Sequence, residues 1–254
     1  GVRLVGSEMC IRDRAYTKNG QPAEAKKVYD AILGLKPEEK DAYFLRGSAE
    51  LELGDYESAK ADFDQAISMD PKNYDRLIEI YEALAAHGYR EVGQEYLQNV
   101  LDTAKQLDAY DSGRIYYYLG EYQKAYLALD EARDKGGADS YLYLGRAYAA
   151  TGDYNYASSV YNNYLSKQGP NAEIYNELGL CEMAKKEYQN ALAAFQAGKQ
   201  IEGNSLMQTL CFNEIVAYEY LEDYQQAEVL MNAYLQNYPD DQTAIREQQF
   251  LSTR

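Results

Sequence analysis

Residues 40–73 read KDAYFLRGSAELELGDYESAKADFDQAISMDPKN. Two helix-favouring runs flank Gly54-Asp55-Tyr56, and Asp70-Pro71 closes the segment. Gly-Asp is turn chemistry and proline cannot continue a helix, so the stretch predicts a helix, a tight turn and a second helix. On the second run Ala59 and Phe63 stand four apart, which places them on one helical face.

The segment recurs along the chain. Ala25, Ala59, Gly93, Ala125, Ala157, Ala191 and Ala227 follow at intervals of 34, 34, 32, 32, 34 and 36 residues. Four residues after each stands a bulky side chain: Tyr29, Phe63, Leu97, Leu129, Tyr161, Phe195 and Met231. A turn precedes each small residue, at Asn19-Gly20, Gly54-Asp55-Tyr56, His87-Gly88-Tyr89, Gly120-Glu121-Tyr122 and Gly152-Asp153-Tyr154. The last two turns, Lys185-Lys186-Glu187-Tyr188 and Leu221-Glu222-Asp223-Tyr224, lack the glycine. Stops such as Lys36-Pro37, Gly169-Pro170 and Tyr238-Pro239 separate the units. A fixed period near 34 marks one supersecondary unit that buries its apolar face only by stacking on its copies.

Composition agrees. The chain of 254 residues holds 28 Tyr against 5 Phe, no Trp and only 5 Pro. Strand-like runs of Val, Ile and Thr are missing, and Ala, Glu, Leu, Gln and Lys abound, so the fold class is all-α. Tyrosine, with an apolar ring and a polar tip, suits half-buried places between packed helices. Asp55, Asp153 and Asp223 sit where a carboxylate caps the second helix of a unit.

The repeat resembles the tetratricopeptide repeat, a 34-residue helix–turn–helix with Leu-Gly-x-x-Tyr, then Ala-x-x-x-Phe, then Pro. Residues 40–73 fit best, and Leu144-Gly145 with Tyr161 and Leu178-Gly179 with Phe195 follow. The resemblance implies an α-solenoid of about seven repeats forming a right-handed superhelix. The units are expected at about 6–39, 40–73, 74–105, 106–137, 138–171, 172–207 and 208–241, as one array over 15–241. Residues 242–254, with Ala244, Ile245, Phe250 and Leu251, are expected as a capping helix. Tyr81 and Ile215 depart from the glycine usual in the first helix. Residues 1–14, GVRLVGSEMCIRDR, differ in composition and resemble a translated sequencing adapter, which would put the native start near Ala15. Alternatively, Met9, Ile11 and Tyr16 form the apolar face of the first helix of unit one. The compartment stays open on this reading: cytoplasm, or a lipid anchor at the cell surface.

Charge and rare residues narrow the chemistry. A formal net charge of -16 opposes binding of nucleic acid or anionic membrane. No apolar run is long enough to span a bilayer. One histidine, His87, and three scattered cysteines, Cys10, Cys181 and Cys211, make neither a zinc site, a triad nor a disulfide framework. No cofactor, metal or catalytic group is expected. The resemblance implies binding of a protein or peptide on a concave face lined by first helices. By register the candidates there are Tyr110, Arg114, Tyr117, Leu142, Arg146, Asn176 and Phe212. Arg114 and Arg146 occupy the same place in adjacent units and could grip a carboxylate, with Tyr110, Tyr117 and Tyr118 as aromatic walls. The other reading pairs both arginines with neighbouring acids such as Asp111 or Asp139. Two further functions stay open: an acidic, chaperone-like holder of a basic or secreted client, and an accessory region of a larger protein.

Overall fold

A computed structural model describes residues 21–133 and 137–254. The adapter-like segment 1–14, Cys10, the Asn19-Gly20 turn and the first helix of unit one lie outside the described residues.

The described residues form helices and no strand. In chain order these are α1 (Pro22–Leu35), α2 (Lys40–Glu52), α3 (Tyr56–Met69), α4 (Tyr74–Ala86), α5 (Arg90–Thr103), α6 (Ala109–Tyr118) and α7 (Tyr122–Ala132). Then come α8 (Gly137–Ala150), α9 (Tyr154–Gln168), α10 (Ala172–Ala184), α11 (Tyr188–Lys199), α12 (Met207–Tyr220), α13 (Tyr224–Asn237) and α14 (Gln242–Leu251). From Lys40 the helices follow as hairpins, one to a repeat, from α2–α3 in the second to α12–α13 in the seventh. The fourth has the shortest helices of them, with 10 residues in α6 and 11 in α7. The chain forms two compact units, up to Gln106 and from Leu107. Within each, a helix packs on the next, and the first helices α2 and α4, α6 and α8, and α8 and α10 lie side by side.

Each hairpin from the second repeat onward closes through the same turn. The amide of Asp55 donates to the Glu50 carbonyl and that of Gly54 to Leu51, with Gly54 at φ 79°. Tyr89, Glu121, Asp153, Glu187 and Asp223 repeat the longer bond. This arrangement ends a helix through one left-handed residue, which glycine adopts at no steric cost. The two turns without glycine keep the geometry: Lys186 takes φ 66° and Glu222 φ 61°. The carboxylates of Asp55, Asp153 and Asp223 accept from the amides of Ser58, Tyr156 and Gln226, as the capping pattern predicts.

The small-and-large pattern works inside a hairpin. A Cβ on Gly47 would come within 2.8 Å of the Phe63 ring, and the rings of Tyr161 and Phe195 sit even closer over Gly145 and Gly179. The seams between neighbouring hairpins are filled as well. That work falls to other tyrosines: Tyr56 stacks on Tyr89 at 4.1 Å, Tyr126 on Tyr148 at 4.4 Å, and Tyr188 on Tyr220 at 5.0 Å. The third hairpin reverses the roles. Tyr81 replaces the first-helix glycine, and the facing residue on α5 is Gly93, where a Cβ would stand 2.9 Å from the Tyr81 ring. At the last hairpin Ile215 meets the flexible Met231 in one buried cluster. Helix α14 adds Ala244 and Leu251 to that cluster, while Phe250 stays exposed under Arg254.

Candidate functional site

The candidate residues of the second unit lie on α6, α8, α10 and α12. Arg114, Leu142 and Asn176 are buried, at 7, 3 and 8% exposure. Tyr110, Tyr117, Arg146 and Phe212 are half-buried. The seven thus divide into a buried backing and a partly open surface.

Neither arginine offers an empty guanidinium. Arg114 lies 4.3 Å above the Tyr110 ring and donates to Asp111, one turn back on α6. Arg146 reaches across to α10, donating from Nε to Glu177 at 3.0 Å and from Nη2 to Glu173 at 2.9 Å and Glu177 at 2.7 Å. Burial works against the charge of Arg146, yet Glu177 and Glu173 outweigh it and raise its pKa above the ordinary arginine value. The alternative pairing reading therefore describes both side chains, with Glu173 and Glu177 in the role assigned to Asp139. Asp139 instead takes a long contact from Tyr110, at 3.5 Å. A positive spot made for an acidic ligand is not what this wall presents.

The rings form a continuous group. Tyr117 meets Tyr118 edge-on at 5.3 Å and Tyr143 at 5.6 Å, and the hydroxyls of Tyr118 and Tyr143 are hydrogen-bonded at 3.1 Å. Burial pushes the Tyr117 phenol upward, so it stays neutral. Tyr116, Tyr117 and Tyr118 are all half-buried. Tyr117 also meets Tyr122 of α7 at 5.8 Å, and Lys124 of that helix lies 5.3 Å from the Tyr116 ring. Further along the wall, Asn176 accepts from Asn213 at 2.9 Å, and Phe212 packs edge-on against Tyr234 at 5.8 Å.

Two further reactive side chains are packed into the fold. Burial pushes the Cys181 thiol up to about 12, far from a nucleophilic thiolate. His87 ends α4 with Nδ1 2.8 Å from the Ala83 carbonyl, half-buried rather than freely solvated. Among the described residues no group of His, Cys, Asp or Glu could hold a metal ion, and no helix is long and apolar enough to cross a membrane.

The structure adds a polar pair, Gln208 and Asp241, to the candidates. Tyr234 donates to Asp241 at 2.6 Å, and Gln208 donates to the Tyr234 hydroxyl at 3.1 Å. In the sequence, Asp240-Asp241 reads only as helix-start charge. Nothing in its spacing points to Gln208, which stands 33 residues away and meets it only in the fold.

A tetratricopeptide repeat model matches residues 14–74, 110–157 and 144–204, together more than half of the chain. Among solved structures, a tetratricopeptide repeat protein from Parabacteroides merdae is similar over 98% of both chains, at 15% identity and a TM-score of 0.64. Tom70 from yeast matches 85% of this chain and 48% of its own, at 14% identity and 0.60. The type IV pilus biogenesis factor PilW matches 97% of this chain and 98% of its own, at 16% identity and 0.52. At such identities the likeness is one of fold. None of the curated proteins matches the chain.

Proposed function

The chain belongs to the tetratricopeptide repeat family, and from that premise we propose that it is a non-enzymatic scaffold holding a peptide or partner protein on its first helices. The observation that carries this reading is the half-buried ring group of Tyr117, Tyr118 and Tyr143 on the wall of α6 and α8. Aromatic side chains supply large contact area at small entropic cost, which suits recognition. Tyr110, Tyr117, Arg146 and Phe212 make the contact surface, and Arg114, Leu142 and Asn176 hold it from behind. No reaction is needed of any of them.

The charge of the ligand follows from the pairing. Two carboxylates face Arg146, and the chain carries a net charge of -16. Both features favour the holder of a basic client over a reader of acidic peptides. Arg146→Ala separates the two by sign. It frees Glu173 and Glu177, so a basic ligand should bind several-fold more tightly and an acidic one more weakly. The full chain serves as bait, and the affinity of a captured partner is measured against this variant and against Tyr117→Ala. A partner indifferent to both substitutions sinks the reading.

A further inference from the structure

The last repeat carries a hollow lined by rings and carboxylates. A cavity of about 300 Å³ opens between α12, α13 and the start of α14, walled by Phe212, Tyr234, Gln208 and Asp241. A second hollow shares Gln208 and Asp241 and adds Tyr238 and Asp240. Phe212, Tyr234 and Tyr238 form a run of rings at 5.8 and 4.8 Å. Neither hollow has a lysine or arginine among its described lining residues.

The chain itself shows what such a place holds. In the second repeat Phe44 stands three residues before Gly47, the register that Phe212 has before Ile215. Over the Phe44 ring lies the Arg76 guanidinium, 4.0 Å from its centre and bonded to Asp41 at 2.8 Å. Arg76 is the third residue of α4, the first helix of the next repeat, and its amide is capped by Asn73. The third residue of α14 is Ala244, whose amide is capped by Asp241. So the ring recurs at the last repeat and the guanidinium does not; Thr209 stands in the place of Asp41, and the carboxylate comes instead from Asp241, in the cap position of Asn73. The fourth repeat shows the same preference with its own Arg114, held between the Tyr110 ring and Asp111.

We propose that the first hollow, at Phe212, Tyr234 and Asp241, with Asp240 of the second beside it, is a binding site for a guanidinium or ammonium side chain of a partner protein. A cation there gains from ring faces and carboxylates at once, the pairing that Arg76 and Arg114 make internally. Hydrogen bonds from Tyr234, and then from the amides of Ala244 and Thr243, hold the Asp241 carboxyl below the usual carboxylate range, so it stays charged. The site deepens the scaffold reading and rests on it only for the cation being part of a protein.

The test therefore uses a small probe. Acetyl-arginine amide is titrated into the ¹⁵N-labelled full chain, with acetyl-glutamate amide as control. Amide shifts should concentrate at Thr209, Phe212, Asn213 and Thr243 with arginine and be absent with glutamate. Thr209 is exposed, so Thr209→Arg should leave the fold intact by circular dichroism and abolish those shifts. Phe212→Leu should weaken the titration at least five-fold. Arginine shifts scattered evenly over the acidic surface, or unchanged in Thr209→Arg, overturn the site. If the probe binds while no partner responds to Arg146→Ala or Tyr117→Ala, the site stands and the scaffold reading fails. A partner that responds to those variants but not to Thr209→Arg overturns the site and leaves the scaffold reading standing.

Discussion

Glycines under rings are the tightest points of the molecule. A methyl at Gly145 or Gly179 would run into the ring of Tyr161 or Phe195, both fully buried. Overpacking of this kind costs roughly 1–3 kcal/mol. Gly145→Ala is therefore expected to lower the melting midpoint measured by circular dichroism. At Gly34 in α1 an added methyl would meet nothing within 4 Å, so Gly34→Ala should raise it, by about 0.5–1 kcal/mol of helix propensity. The turns supply a second contrast. Lys186 and Glu222 take a left-handed conformation that costs a side-chain-bearing residue about 1–2 kcal/mol, offset in part by the extra freedom glycine has when unfolded. Lys186→Gly and Glu222→Gly should each stabilise by about 0.5–1 kcal/mol in urea titrations. The spacing from Gly47 to Phe63 was legible in the sequence because both partners lie in one hairpin. So were the turns at 186 and 222, since register located them without the glycine.

At the scale of helices, the capping helix is held by a seam that depends on pH. Glu219 on α12 is pushed up to about 7 by burial and then by the facing Glu247 of α14. The folded state thus prefers the protonated acid. Its contribution is fully present below the ordinary glutamate value of about 4.5 and is lost as pH rises through about 7. The pair is partly solvated, so the loss is about 1 kcal/mol rather than the full linkage. Glu219→Gln should stabilise the chain at pH 8 and leave it unchanged at pH 4, read by urea titration at both values. A stabilisation equal at both values contradicts this account. The seam was not legible in the sequence, because its two acids stand on helices that meet only in the fold. The same reason hid the partners of Arg146: Asp111 lies one turn from Arg114, whereas Glu173 and Glu177 come from the next hairpin. The hollow at Phe212 was hidden differently. Its sign is a missing arginine, visible only once the register is carried through to Ala244.

For the molecule as a whole, stability is distributed over several seams with no single centre. Separate buried clusters lie at Leu51–Phe63–Leu84, at Leu129–Tyr161–Ile174, at Phe195–Leu210 and at Met231–Leu251. In such an array each hairpin depends on its neighbours, and the ends open first. Amide exchange in α8 and α9 should be slower than in α13. Deleting residues 242–254 uncovers Met231 and Ala227, so exchange in α12 and α13 should accelerate while α8 stays protected. Uniform acceleration through α8 would instead mean one cooperative block. The all-helical repeat was open to the sequence, because its period returns along the chain.

The exchanged pair at Tyr81 and Gly93 bears on how such a chain diversifies. Large and small have traded helices there, and the seam still closes. No single substitution makes that trade cleanly. Tyrosine arriving first would collide with an alanine methyl, whereas glycine arriving first forfeits only about 1 kcal/mol of helix propensity. The glycine-first route is the passable one, and it works as a ratchet: with Tyr81 seated, alanine is barred from position 93. History on one helix then constrains what its partner across the hairpin can become.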